Sequence, residues 1–221
     1  SQSGDNIGST NKLLSKISTL NFQAFDHSFD ERVPVITTGN PILFSPHPKK
    51  PPTEVKNVLI LGGSLGAKKI NEIIPMIKSP VNIWHQTGKN HFDEVKSFYS
   101  RSGHPQAKID SFISNMEDAY AWADLVICRA GAMTVSELIA SNSIAILIPF
   151  PYAIDNHQTI NAQYLSKQEA GILIDEKNLT PEAIDDEISQ LSKEKLKKLS
   201  KNLGLLKVQH PERLIADYLL N

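Results

Sequence analysis

Six residues, Gly62-Gly63-Ser64-Leu65-Gly66-Ala67, follow the apolar run Val58-Leu59-Ile60-Leu61 and lead into a helical pattern. A strand, a glycine turn and a helix start are expected there. Glycines let a backbone come close to a ligand, and a helix start offers unpaired N–H groups and partial positive charge to an anion. A phosphorylated ligand at Gly63, Ser64 and Gly66 is the chemical reading; a tight turn needing positive φ is the plain one. A second segment, Arg129-Ala130-Gly131-Ala132-Met133-Thr134-Val135-Ser136-Glu137, again puts small residues after a strand. Thr134 and Glu137 have the spacing of a capping box, in which each side chain satisfies a free N–H of the helix start. Glu137 equally suits a ribose diol, because a carboxylate only accepts and can take two hydroxyl donors. A third segment, Asp155-Asn156-His157-Gln158, precedes a helical pattern after Phe150-Pro151. These polar side chains can bind sugar hydroxyls, or Asp155 or Asn156 can simply cap the helix. His157 has no histidine at ligand spacing, so no metal is expected. His85 stands at a strand end without a partner base, and the bland reading has Trp84 packing and His85 supporting a loop.

The elements that must hold these segments alternate. Strands are expected at 57–61, 81–85, 108–112, 125–128, 144–148 and 172–174, with helices at 68–77, 92–101, 117–122, 135–140 and 158–167. Continuous apolar runs, as at 58–61, 125–128 and 144–148, suit burial on both faces. A β-α series of this kind implies a doubly wound parallel sheet, with ligands outside the carboxyl ends of its strands. The segments 62–67, 85–88, 129–137 and 149–158 all fall at such ends. Helices at 181–191, 193–203 and 211–220 close the chain, with Pro181 and Pro211 at first helical positions. Before the series, 1–9 reads as loop, 12–20 as a short helix, and 21–25 and 33–37 as short strands. Gly39-Asn40-Pro41 marks a turn. Pro46, Pro48, Pro51 and Pro52, with Lys49 and Lys50 among them, make a stiff polar linker.

Composition excludes several classes. The chain has 221 residues, 40% apolar and 21% charged, with a formal net charge of −1, so no whole-chain attraction to nucleic acid or anionic lipid is expected. Cys128 is the only cysteine, so neither an internal disulfide nor a cysteine zinc cage can form. No apolar run approaches the roughly 20 residues that span a bilayer. The first residue is Ser rather than Met, as in a processed or cut chain. The G-x-G-x-x-G fingerprint is absent, His85-Gln86-Thr87 stands where a dinucleotide domain carries its acidic ribose anchor, and the Walker lysine pattern is missing. The lysines at 68, 69, 193–198 and 201 read as solvated helix faces. Phe92, Phe98 and Tyr99 read as core or half-buried rather than as a base-stacking stripe.

In order along the chain, the glycine segment, Trp84-His85-Gln86-Thr87-Gly88, Ala119-Tyr120-Ala121-Trp122-Ala123-Asp124, Cys128–Glu137 and Asp155-Asn156-His157-Gln158-Thr159 closely resemble the MurG family of peptidoglycan N-acetylglucosaminyltransferases. The resemblance runs from about residue 11 to residue 218. It implies a C-terminal Rossmann-like donor domain of a two-domain GT-B glycosyltransferase at 56–221, an interdomain linker at 41–55, and a remnant of the N-terminal acceptor domain at 1–40. The last helix is then expected to cross back towards the N-terminal domain. It further implies that Gly63, Ser64 and Gly66 face the donor diphosphate, that Ile113 contacts uracil through its backbone with Met116 nearby, and that Arg129, Ala132, Met133 and Thr134 line the phosphate and sugar pocket. Glu137 would hold the ribose hydroxyls, and Gln158, with His157 beside it, the GlcNAc hydroxyls.

The implied reaction is inverting GlcNAc transfer from UDP-GlcNAc to undecaprenyl-linked muramoyl-pentapeptide, turning lipid I into lipid II, with no cofactor or metal. The implied setting is cytoplasmic, peripheral on the inner face of the bacterial plasma membrane. Acceptor and membrane would be met by the N-terminal domain. No counterpart of that domain's glycine-rich catalytic loop is present, so the base is expected outside this chain, which is expected to be catalytically incomplete alone. The family's Glu-Gln-Asn reads Ser1-Gln2-Ser3, its basic residue after the crossover is replaced in Pro41-Ile42-Leu43, and its glycine-segment Gln is Leu65. A non-catalytic nucleotide-sugar-binding subunit with a separate acceptor partner is the alternative. A UDP-GlcNAc 2-epimerase fits the motif order poorly.

Overall fold

The computed structural model describes residues 14–15, 17–25, 33–47, 49–63, 67–153, 156–208 and 210–220. The loop expected at 1–9, residues 12, 13 and 16 of the helix expected at 12–20, and Ser64, Leu65, Gly66 and Asp155 lie outside them. The described residues 17–20 of that expected helix are turn, bend and irregular chain instead, with the N–H groups of Ile17 and Ser18 closing a turn on Leu14 O before the chain extends into the strand at Asn21.

Two short strands, β1 (Asn21–Gln23) and β2 (Val35–Thr37), pair in parallel. The main sheet is formed by β3 (Asn57–Leu61), β4 (Asn82–Gln86), β5 (Lys108–Asp110), β6 (Leu125–Cys128), β7 (Ala145–Leu147) and β8 (Ile172–Leu173). All its pairings are parallel and its order is β5-β4-β3-β6-β7-β8. The order reverses between β3 and β6, which makes their shared end the switch point where such sheets bind ligands.

The helices are α1 (Lys68–Ile73), α2 (Phe92–Tyr99), α3 (Met116–Trp122), α4 (Ala132–Ser141), α5 (His157–Lys167), α6 (Pro181–Ser189), α7 (Lys193–Leu205) and α8 (Pro211–Leu220). The helix expected to run to residue 77 ends at Ile73 and tightens into a 3₁₀ turn at Ile74–Met76. Pro75 explains this, since it has no N–H to continue the α-helical ladder. The strand expected to reach residue 112 stops at Asp110, because β5 is an edge strand whose pairing with β4 ends there, and Phe112 points outward at 58% exposure.

Alternation along the central strands divides the core. Val58 and Ile60 face one apolar layer with Ile70, Ile74, Ile184 and Leu196. Leu59, Leu61, Val126 and Cys128 face the other, with Tyr120, Val135, Leu138 and Leu165. Side chains on successive strand residues point to opposite faces, so helices must cover both. Cys128 is fully buried, and that burial pushes its thiol up to about 12. The start of the sheet is tied by Asp124, whose Oδ2 accepts the N–H of Lys56 (3.0 Å) and of Asn57 (2.8 Å).

The proline-rich segment is seated rather than loose. The Asn40 amide donates to Ser136 Oγ (3.0 Å), and Phe44 stacks on Tyr120 with ring centroids 5.8 Å apart. Lys49 Nζ donates to the carbonyls of Tyr120 (2.8 Å) and Ala123 at the C-terminus of α3. A cation there meets the negative end of the helix. Burial nevertheless holds the Lys49 ammonium down at about 8.

Candidate functional site

Strand register sets the site. Gln86, Leu61, Cys128, Leu147 and Leu173 pair across the sheet in one row. Everything that follows those residues therefore emerges at one edge: Thr87-Gly88, Gly62-Gly63, Arg129–Gly131 and Ile148–Phe150. The convergence expected from sequence is present in three dimensions.

Gly62 donates its N–H to Gln86 O (3.0 Å). A Cβ at Gly62 would stand 3.0 Å from that same oxygen and 3.1 Å from Ala67 N, so the close approach of two strand ends leaves no room for a side chain. Gly63 has φ +75°, the left-handed region that glycine enters without strain. This turn is backed by a buried polar chain. His85 is fully buried, with Nδ1 2.9 Å from Tyr99 Oη and Nε2 3.0 Å from Asn71 Oδ1. Asn71 in turn donates to Thr87 O (3.0 Å). Burial drives the His85 imidazole down to about 3, so it is neutral and structural, as its lone position implies. Trp84 packs edge-on against Trp122 and donates to Asp110 (2.7 Å).

The second segment departs from expectation at its helix start. α4 begins at Ala132, with Gly131 in extended conformation at the cap and no side-chain cap. Thr134 therefore sits inside the first turn, and Thr134 and Glu137 form no capping box. The reason is that Gly131 adopts the cap conformation itself, and no side chain satisfies the first-turn N–H groups. Val135 N bonds back to Gly131 O (2.9 Å), while Ala132, Met133 and Thr134 supply first-turn donors with no acidic residue beside them. Such a terminus suits an anion. Met133, 45% exposed, lies on its outer side.

Glu137, on the second turn, is half-buried. Its Oε2 accepts the Tyr120 hydroxyl (2.8 Å), and among the described residues no donor reaches Oε1. Burial raises the carboxyl's affinity for its proton; the Tyr120 bond pulls it back. The carboxylate thus stands at the switch point with acceptor capacity to spare.

Arg129, expected to line the pocket, spends its guanidinium on the chain itself. Nη1 donates to Ile148 O (3.1 Å) and reaches Pro149 O (3.4 Å), Nη2 pairs with the Glu176 carboxylate, and the head lies 5.3 Å from the Phe150 ring. It braces the loop after β7. Gln158, on the first turn of α5, uses Oε1 to accept the Phe150 N–H (2.9 Å), which leaves its amide donors. His157 is exposed and starts α5. Asn156 occupies the cap position at φ +55°, but its Oδ1 accepts from the Thr159 hydroxyl (2.7 Å) rather than from a backbone N–H. Ile113, buried, and Met116, opening α3, belong to the same apolar layer as Tyr120. A hollow of about 780 Å³ between Met76, Ser79, Phe98 and His104 lies at the other end of the sheet, beside the amino ends of β4 and β5.

The family model for the glycosyltransferase family 28 C-terminal domain matches residues 57–216. The chain belongs to that family. It is 50% identical over 215 residues to the UDP-N-acetylglucosamine–N-acetylmuramyl-(pentapeptide) pyrophosphoryl-undecaprenol N-acetylglucosamine transferase of Vesicomyosocius okutanii, covering 96% of this chain and 61% of that protein. The protein of the same name from Methylococcus capsulatus is 45% identical over 194 residues, 83% of this chain and 54% of the relative. The crystal structure of Acinetobacter baumannii MurG superposes with a TM-score of 0.80 at 31% identity, over 98% of this chain and 64% of that one. The calicheamicin glycosyltransferase CalG4 shares the fold alone, with a TM-score of 0.62 at 15% identity. The chain thus spans a little over half the length of the relatives it matches.

The sequence reading missed Tyr120 as the partner of Glu137 and Glu176 as the partner of Arg129. Nothing local could have found either, because the members of each pair lie on separate elements.

Proposed function

We propose that this chain is the donor half of an inverting glycosyltransferase that moves GlcNAc from UDP-GlcNAc to undecaprenyl-linked muramoyl-pentapeptide, the donor and acceptor for which its relatives are named. The observation that carries the reading is Glu137: an underused carboxylate at the switch point, one turn beyond a helix terminus that offers free N–H groups. In this reading Glu137 accepts the ribose hydroxyls. The donors of Ala132, Met133 and Thr134, with Gly63, Ser64 and Gly66, face the diphosphate. Ile113 and Met116 flank uracil. The Gln158 amide donors and His157 face the sugar, held by the loop that Arg129 braces.

Inverting transfer requires a base on the acceptor hydroxyl and stabilisation of the departing UDP. The α4 terminus supplies the second without a metal or a side-chain cation. The base, the lipid-linked acceptor and contact with the inner face of the plasma membrane belong to an acceptor domain, of which 1–40 is the tail and 41–55 the linker to the donor domain 56–221. No described helix is long and apolar enough to cross a membrane.

Isothermal titration tests the reading. UDP and UDP-GlcNAc should bind saturably and CDP much more weakly, and Glu137→Gln should weaken UDP about tenfold, since a neutral amide accepts less strongly than a carboxylate. No saturable UDP binding would overturn the donor-site reading; equal affinity for UDP and CDP would overturn the role of Ile113 and Met116. The chain alone should form no product with a lipid I analogue and should do so once an acceptor domain is supplied.

A further inference from the structure

Among the described residues the Glu137 carboxylate takes one hydrogen bond, and its donor is held on three sides. The Tyr120 hydroxyl meets Oε2 at 2.8 Å from the neighbouring helix α3, and the ring is 1% exposed. On the ring face lies Phe44, tilted only 23° from parallel. On the backbone carbonyl lies Lys49 Nζ (2.8 Å). Both come from the linker, and Asn40, immediately before it, donates to Ser136, the residue before Glu137 (3.0 Å). Ser136 Oγ in turn donates to Ala132 O (2.9 Å). Asn40 thus holds α4 beside the carboxylate, and the linker holds the tyrosine on α3 that bonds to it.

We propose that Tyr120 is a positioning residue for the Glu137 carboxylate, and that the linker, through Phe44 and Lys49, keeps Tyr120 in that place. The inference rests on the donor-site reading above. A buried tyrosine hydroxyl needs an acceptor, and a half-buried carboxylate needs a donor to remain ionised. One bond meets both needs. It also fixes which rotamer the carboxylate adopts, so that Oε1 is the oxygen left to a ligand. The ionisable groups facing Glu137 are Tyr120 from α3 and Cys128 from β6. Burial keeps both protonated, so neither competes for charge. Lys49 sits at the carbonyl end of α3 and acts on Tyr120 through the backbone.

The device has a consequence for the intact enzyme. The segment that would join two domains also sets the donor-site carboxylate, so displacing the linker from α3 loosens donor binding without touching any ligand contact.

The test uses Tyr120→Phe, which keeps the ring and its stacking and removes only the hydroxyl. UDP-GlcNAc is the titrant, because its diphosphate is doubly esterified and does not titrate near neutrality. Affinity at neutral pH should fall about tenfold, or about 1.4 kcal/mol. Without its donor, Glu137 takes up its proton at higher pH, so the fall in affinity on acidification should begin at a higher pH than in the parent chain. Unchanged affinity, or weaker affinity with an unmoved pH midpoint, would overturn the proposal, since a purely structural loss does not move that midpoint. Phe44→Ala is the second variant and keeps the test alive if Tyr120→Phe fails to fold. It should move the midpoint the same way by a smaller amount in an otherwise intact chain and do nothing further when combined with Tyr120→Phe. A Phe44→Ala chain with parental affinity and midpoint would overturn the linker's part. If Glu137→Gln itself leaves affinity intact, the donor-site reading has failed; if Glu137→Gln weakens binding while Tyr120→Phe is silent, only the present inference has.

Discussion

Replacing His85 by Gln should make the protein less stable at neutral pH yet less sensitive to acid. In the folded chain His85 is enclosed between Tyr99 Oη and Asn71 Oδ1 and stays neutral until about pH 3, against an ordinary value of 6.5. The unfolded chain takes up that proton near its ordinary value. Between the two limits the unfolded state holds more protons, so stability falls as pH falls and levels off only below the folded value. Counting His85 alone, protonation of the unfolded chain between pH 7 and pH 5 costs about 2 kcal/mol. Gln cannot titrate, so this slope disappears in the variant. Gln can also satisfy only part of the site, and a buried partner left unpaired costs about 1–3 kcal/mol at any pH. Urea unfolding of both proteins at the two pH values measures the gap, with equal m-values needed for the comparison. The parent should lead by about 1–3 kcal/mol at pH 7, and the gap should narrow by about 2 kcal/mol, to the point of closing or reversing, at pH 5. An equal gap at both would mean that His85 is not kept neutral by the fold, and the account of the polar chain behind the glycine turn would fail.

Lys49→Met should lower stability by about 1–2 kcal/mol by removing two hydrogen bonds from a charged donor. Because the folded ammonium titrates at about 8 and the unfolded one at 10.5, the parent should gain stability between those pH values, and the variant should lack that gain in thermal melts. Arg129→Met should strip Glu176 and the Ile148 carbonyl of their partner, costing about 2–4 kcal/mol and speeding hydrogen exchange in the loop 148–153. Gly62→Ala should force Gln86 O or Ala67 N to shift and cost about 1–3 kcal/mol, read from the denaturation midpoint.

The strands at the centre of the sheet were legible because nothing competes there. Val58–Leu61 and Leu125–Cys128 are apolar throughout and buried, and the strands that contain them appear at the expected residues. Errors collect where local pattern and tertiary context disagree. Phe112 is as apolar as a strand residue but lies beyond the last pairing of an edge strand. The spacing of Thr134 and Glu137 imitates a cap, while the real cap is a glycine that leaves no side-chain signal. The three site segments could be placed at strand ends because parallel topology dictates it. What Glu137, Arg129 and Gln158 bond to could not be read, since each bond depends on how helices and loops lie over the sheet. Lys49 reads from sequence only as part of a stiff polar linker for the same reason: its partners are backbone carbonyls, which carry no sequence signature.

The lone thiol offers a clock for how this sheet opens. Cys128 sits in the central row between Leu61 and Leu147, fully enclosed and held as a thiol. A thiol reagent reacts with the thiolate and needs contact with it, so the folded chain should be inert and each labelling event should report one exposure of β6. With no second cysteine to confuse the signal, the labelling rate in plain buffer measures how often the middle strands part. Binding of a nucleotide sugar across their ends should slow that rate in proportion to its occupancy.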